Sequence, residues 1–314
     1  MFILLIAAGL ILLVAGGEVL VRGASRLAIG LGVSPLIVGL TLVGFGTSTP
    51  ELVTSLQAAF VGSPAIAIGN VIGSNTANIL LILGLAALIA PLGIEKATFF
   101  RDGLVVTVAA VFAMVGVLLG EIGQVAGTVF LAGLASYLVV LVLSERRRVH
   151  PAGAETAEIV LTRDPVWLSL ILVVVGIALT IVGARWFVSG AITIARDFGV
   201  SETVLGLTLV AVGTSLPELA TSVIAALRGQ SALAFGNVVG SNIYNILGIL
   251  GITAIVHPLS VPPGIAAIDI WVMLVATLGL LFVSVSGWTI TRREGSVLLA
   301  GYIIYTAWLV SIAT

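Results

Sequence analysis

Residues 32–92 reappear without a gap as residues 199–259, and 36 of the 61 pairs are identical at an offset of 167. Shared greasiness does not produce pairs such as Gly32/Gly199, Ser34/Ser201, Thr41/Thr208 and Asn78/Asn245. A chain that carries one block twice is a duplicated unit. Each copy holds the same short polar stretch inside an apolar run, GTSTPELVTS at 46–55 and GTSLPELATS at 213–222.

The surroundings fix the medium. The chain is 60% hydrophobic and 9% charged, outside the range of soluble domains. Ten apolar runs stand near 2–21, 35–60, 65–90, 103–120, 124–143, 166–188, 202–227, 231–256, 268–286 and 295–313. About 20 helical residues cross the hydrocarbon core. Runs without two-residue alternation exclude a barrel, and helices satisfy their own backbone in lipid. The expectation is an all-α integral membrane protein with ten transmembrane helices in two five-helix repeats.

Five is odd, so the second copy enters the membrane from the opposite side. Inverted repeats with sites on broken helices at the midplane are the mark of secondary transporters. The units are 1–144 and 166–314, with α-repeats at 32–92 and 199–259, joined by a short charged linker at 145–165. Eleven of the 13 basic residues fall in the linker and the loops on its side, and only Arg185 and Arg196 on the other. That asymmetry makes the linker cytoplasmic and both termini extracytoplasmic, in the cell (inner or plasma) membrane. The 2–21 run lacks the positive start of a signal peptide and aligns with a later span, so it reads as a retained helix.

Several classes drop out. With no cysteine, disulfides, iron–sulfur clusters and thiolate zinc sites are excluded. There is no basic surface for nucleic acid, no nucleotide-binding loop and no nucleophile–base pair at depth. The chain is not expected to be an enzyme, to hold a cofactor or to need an obligatory protein partner.

Glu51 and Glu218 lie near the centres of 35–60 and 202–227. An ionised carboxylate at mid-membrane costs about 3 kcal/mol on insertion scales. No lysine or arginine lies at that depth to offset it, which leaves a bound cation or a proton. The neighbours suit a metal ion. Pro50 and Pro217 have no amide hydrogen and crowd the preceding turn, so they free carbonyls near 44–47 and 211–214. Thr47, Ser48, Thr214 and Ser215 add hydroxyls. On the next helix of each half, Ser74 and Asn78 share a face, as do Ser241 and Asn245. Asn70 and Asn237 lie a turn back, as further ligands or as interhelical glue. Such an all-oxygen set favours calcium or sodium over magnesium and over nitrogen- or sulfur-seeking metals. Gly39, Gly69, Gly73 and Gly84 read as helix-packing positions.

The paired segments GTSTPELVTS/GNVIGSNTANIL and GTSLPELATS/GNVVGSNIYNIL closely resemble the two α-repeats of the sodium/calcium exchanger family, within the calcium/cation antiporters. The resemblance implies ten helices in an inverted repeat and alternating access of a central ion cluster. It implies a secondary antiporter in which sodium drives calcium the other way, with calcium, sodium and the bilayer as its partners. It makes Glu51 and Glu218 the shared acidic ligands. Thr47, Ser48, Ser74, Asn78, Thr214, Ser215, Ser241 and Asn245 become the oxygen donors, with backbone carbonyls at Gly44 and Ala211.

Two positions depart from the pattern. Thr49 stands where leucine is usual, and Asn245 stands where some relatives, notably the potassium-dependent exchangers, have aspartate. The asparagine argues against potassium cotransport. The linker is too short for the calcium-sensing domains of the large animal exchangers. The alternatives are a calcium/proton antiporter and, less well supported, a cation channel. The first and sixth spans, with Gly16-Gly17 and Gly183-Ala184, are expected to be the mobile ones.

Overall fold

The computed structural model describes residues 2–148, 165–197 and 211–313. Most of the expected linker and repeat positions 199–210 lie outside the described residues. In chain order the helices are α1 (Phe2–Leu31), α2 (Pro35–Thr47), α3 (Thr49–Phe60), α4 (Pro64–Ile89), α5 (Lys96–Leu118) and α6 (Gln124–Arg148). Then follow α7 (Val166–Asp197), α8 (Ala211–Thr214), α9 (Leu216–Leu227), α10 (Ser231–Val256), α11 (Ile265–Val285) and α12 (Arg292–Ala313). Among the described residues eight helices are long and apolar enough to cross a membrane, and the bent pair α2/α3 makes a ninth. The run at 202–227 is described only from Ala211.

Some helices outrun their apolar cores. α1 continues through Arg22 and Arg26 to Leu31 and stops at Gly32, whose φ of 66° ends the helix in the left-handed region that glycine tolerates. At 30 residues it is about 45 Å long, well beyond the roughly 30 Å of hydrocarbon.

The proline-bearing spans break where the sequence demands it. Ser48 (φ −81°, ψ 10°) separates α2 from α3, whose axes differ by 42°. Ser215 (φ −87°, ψ 6°) separates α8 from α9 in the same way. Each break lies two residues before a proline that cannot accept a preceding helical turn.

Burial singles out two helices as the centre. The most apolar window of α10 is 83% buried and that of α4 67%, against 39% or less for the other spanning helices. α2 presses onto α10 at glycines. A Cβ on Gly240 would stand 2.4 Å from the Leu40 carbonyl oxygen, a distance only hydrogen in place of a side chain permits. The packing expectation holds at Gly39, which faces Leu233 O, and at Gly84, which faces Gly295 O on α12. Gly69 and Gly73 have room among the described residues, where a Cβ would meet nothing closer than Ile265 at 3.9 Å.

Two short ladders stitch the halves together crosswise. β1 (Leu92–Gly93) pairs antiparallel with β4 (Thr289–Ile290), and β2 (Glu121–Ile122) with β3 (Leu259–Ser260). Just before β4, Trp288 takes a φ of 57°. Its ring packs between Phe99 and Phe100 with the Lys96 ammonium 5.0 Å from its centre. It is therefore partly enclosed by protein, whereas Trp167, Trp186 and Trp271 stay exposed.

α1 and α7 lie antiparallel along most of their length, with glycines every seven residues on both. Gly9, Gly16 and Gly23 face 187, 180 and 172–173, while Gly176, Gly183 and Gly190 face Leu20, Leu13 and Ile6. At these crossings a Cβ would fall 2.5–2.9 Å from atoms of the facing helix. The pair is one close-packed body laid against the broken spans.

Candidate functional site

The two breaks meet at the centre. Glu51 and Glu218, each in the first turn after its break, are 1% exposed. The hydroxyl freed at each break reaches the opposite half. Ser48 Oγ donates to Glu218 Oε1 at 2.7 Å, and Ser215 Oγ donates to Glu51 Oε1 at 3.1 Å. Each carboxylate is thus held by the serine of the other repeat.

Asn70 and Asn237 secure the turn behind each glutamate. Asn70 Nδ2 donates to the Glu51 carbonyl (3.1 Å) and Ser55 Oγ (2.9 Å). Asn237 Nδ2 donates to the Glu218 carbonyl (3.3 Å) and Ser222 Oγ (2.9 Å). Their oxygens accept from the other half, Asn70 Oδ1 from Thr214 Oγ1 at 3.5 Å and Asn237 Oδ1 from Thr47 Oγ1 at 3.3 Å. These asparagines spend their amides on the frame. Ser55 and Ser222 belong to that frame and were not singled out from sequence, although both lie in the repeated decapeptide.

Ser74, Asn78, Ser241 and Asn245 are buried on α4 and α10. The helix winds wider from Asn78 to Leu83, and from Tyr244 to Leu250, in i→i+5 turns. Such turns often mark functional positions. Ser241 Oγ donates to the Gly44 carbonyl at 3.1 Å. Ala211 opens α8, one turn before the second break. Thr49 is exposed.

The decisive feature is what stays unpaired. Among the described residues eight buried side-chain polar atoms lack a partner, and seven of them belong to α3, α4, α9 and α10, the helices of the repeated segments. They are Glu51 Oε2, Glu218 Oε2, Ser74 Oγ, Asn75 Oδ1, Asn78 Oδ1, and both Oδ1 and Nδ2 of Asn245. Buried polar atoms are otherwise nearly always satisfied. Asp102 gives the contrast. It is equally buried, yet Arg101 grips both its oxygens (2.6 and 2.9 Å) and Tyr137 donates to it at 3.2 Å. Among the described residues Glu51 and Glu218 bond to serines and pair with no cation. Six of the seven atoms are oxygens, a donor set with the hardness and flexible count that oxygen-seeking cations take. Among the described residues no three acidic, histidine or cysteine side chains cluster, so the charge at this centre comes from the two glutamates.

A cavity of about 360 Å³ lined by Pro50, Thr54, Gln57, Arg185, Ser189 and Thr214 opens beside α7. At the repeat-equivalent place, between α1 and α9, side chains pack closely. There Ile224 packs so closely that a Cβ on Gly17 would stand 2.9 Å from its Cδ1. Arg228 grips Glu18 (Nε to Oε2 2.9 Å), and Glu18 also takes Arg22. The Glu18–Arg22 pair is therefore one arm of a bridge from α1 to the end of α9.

A family model described as sodium/calcium exchanger protein matches residues 1–143 and 168–311. The chain belongs to the sodium/calcium exchanger family. It is 35% identical over 342 aligned residues to the sodium/calcium exchanger MaX1 of Methanosarcina acetivorans, covering 96% of each chain. It is 34% identical over 321 residues to the inner membrane protein YrbG of Escherichia coli, covering 97% of this chain and 95% of that one. Its fold matches solved structures of the sodium-calcium exchanger NCX_Mj. The one soaked with 2.5 mM Na⁺ and 0.1 mM Ca²⁺ aligns with a TM-score of 0.84 at 36% identity, over 98% of this chain and 97% of that one. As a member of the exchanger family the protein is a multi-pass helical membrane transporter.

Proposed function

We propose that this exchanger carries calcium one way and sodium the other through one central site that faces each side of the membrane in turn. The observation that carries the reading is the set of unpaired buried oxygens on α3, α4, α9 and α10, together with two buried carboxylates that pair with no cation among the described residues. A cation supplies both the missing charge and the missing partner. Glu51 and Glu218 bring two formal negative charges, enough for one calcium. Thr47, Ser48, Ser74, Asn78, Thr214, Ser215, Ser241 and Asn245, with the carbonyls of Gly44 and Ala211, complete overlapping positions for which calcium and sodium compete. Asn70 and Asn237 act from behind, since their amides are spent on the frame.

The fold proposal is ten spans in two inverted repeats, 1–144 and 166–314, with a cytoplasmic linker and extracytoplasmic termini. Crosswise strand pairing and reciprocal Ser–Glu bonds support the two-fold relation. The α1/α7 body is the moving part. It meets the breaks through small residues, as at Gly46 and Gly213, where Ile177 and Val188 sit in place of a Cβ. Occupancy of the site licenses its passage from the side of the open cavity to the side closed by Glu18 and Arg228.

Proton exchange is the competing reading, because either glutamate can take a proton. A proton on a carboxylate leaves Ser74, Asn78 and Asn245 unpaired, and a metal ion does not. The test is calcium-45 uptake into proteoliposomes with either a sodium or a pH gradient imposed. Uptake that requires the outward sodium gradient is expected. Uptake driven equally by the pH gradient alone assigns the proton, and uptake that follows voltage without either gradient assigns a channel.

A further inference from the structure

A metal-facing asparagine has to present its oxygen, and its amide is free to turn the wrong way round. One neighbour settles the matter for Asn78. Asn242 Nδ2 donates to the Asn75 carbonyl at 3.4 Å. A backbone carbonyl only accepts, so that bond fixes Asn242 with its nitrogen toward α4. Asn242 Oδ1 is then the atom left facing Asn78, and it accepts from Asn78 Nδ2 at 2.9 Å. Asn78 Nδ2 is thereby committed, and Asn78 Oδ1 is the atom with no partner. The order runs from a fixed carbonyl through two amides to one oriented oxygen.

The repeat contains the same parts in a different state. Asn75 is equivalent to Asn242, and Asn245 to Asn78. Asn75 Nδ2 turns back to Val71 O at 2.7 Å, its Oδ1 stays unpaired, and so do both polar atoms of Asn245. One orienting contact is made and its twin is open.

We propose that Asn242 is a positioning residue that holds the Asn78 oxygen toward the transported cation. The proposal rests on the reading of Asn78 as a cation ligand. Asn242 itself touches no cation; it acts through Asn78. Losing it frees Asn78 to present its NH₂, which repels a cation.

The test measures the KM for calcium in sodium-driven calcium-45 uptake with Asn242→Ala, Asn78→Asp and the double variant. A carboxylate at 78 offers oxygen whichever way it turns, so it has no need of the clamp. Asn242→Ala is expected to raise KM about tenfold in the native chain, the scale of one hydrogen bond, and less than about twofold in the Asn78→Asp chain. Asn242→Asp keeps the acceptor for Asn78 Nδ2 and should raise KM less than Asn242→Ala, which also serves if the alanine variant fails to fold. Equal rises in both backgrounds, or no rise in the native chain while Asn78→Asp does shift KM, would overturn the positioning role alone. An Asn78→Asp variant with unchanged calcium and sodium dependence would overturn the ligand reading beneath it, and the positioning role with it.

Discussion

The two halves carry nearly the same polar sequence but do not stand in the same condition. Behind the glutamates they agree atom for atom. Asn70 grips the Glu51 carbonyl and Ser55, and Asn237 grips the Glu218 carbonyl and Ser222. Around the site they differ. Ser241 bonds to the Gly44 carbonyl while Ser74 is unpaired, and Asn78 is clamped while Asn245 is free. Toward the membrane faces the difference grows to an open cavity beside Arg185 and a bridged, packed contact at Glu18. The bonds that hold the glutamate-bearing turns keep the symmetry, and contacts farther along α4 and α10 break it. The symmetric layer is the frame, and on the proposed function the asymmetric layer is the part that changes as the site turns.

The largest effect separating these layers is expected at the frame. Asn70→Ala and Asn237→Ala each strip the donors from a glutamate-bearing turn. Each should cost about 1–3 kcal/mol, the scale for buried groups left unsatisfied, and by similar amounts. Thermal unfolding in detergent reads this directly. A large loss at one asparagine and none at the other would show that the frame is not symmetric.

The smallest effect is expected at the faces. Glu18→Gln removes a partly exposed bridge, and such pairs are worth little in water. It should shift the balance toward the state open on the Glu18 side by less than about fivefold, with calcium affinity at the site unchanged. Cysteines placed at Ile224 and at its repeat equivalent Gln57 in turn, with their labelling rates compared before and after Glu18→Gln, sharpen the comparison. Faster labelling at 57 and slower at 224 would reverse it.

Much of the frame was legible in the sequence. The offset of 167 predicted the duplication, and Pro50 and Pro217 predicted breaks just before the glutamates. Apolar runs placed the spans but not their ends, because α1 continues past its greasy core until Gly32 stops it. The rest depends on which atoms meet between helices, some a few turns apart in sequence and some across 160 or more residues of chain. Nothing in a single helix says that Ser48 serves Glu218 rather than Glu51. Asn70 looked equally suited to ligand and glue until its donors were found on the Glu51 turn. Asn75 and Asn242 stood in the repeated Gly-Ser-Asn triplet, yet periodicity gave no reason to prefer them to their neighbours. The glycine heptads of α1 and α7 were visible as spacing, but only their antiparallel register gives the spacing a meaning.

The central claim is that both glutamates serve one site. Its most direct test is sodium-driven calcium-45 uptake by Glu51→Gln and Glu218→Gln, compared side by side in proteoliposomes with equal amounts of folded protein. The account predicts that each single change lowers uptake to the level of protein-free vesicles, because each removes half of the charge that neutralises calcium. Uptake that persists in either variant, with its dependence on the sodium gradient intact, would contradict a shared site.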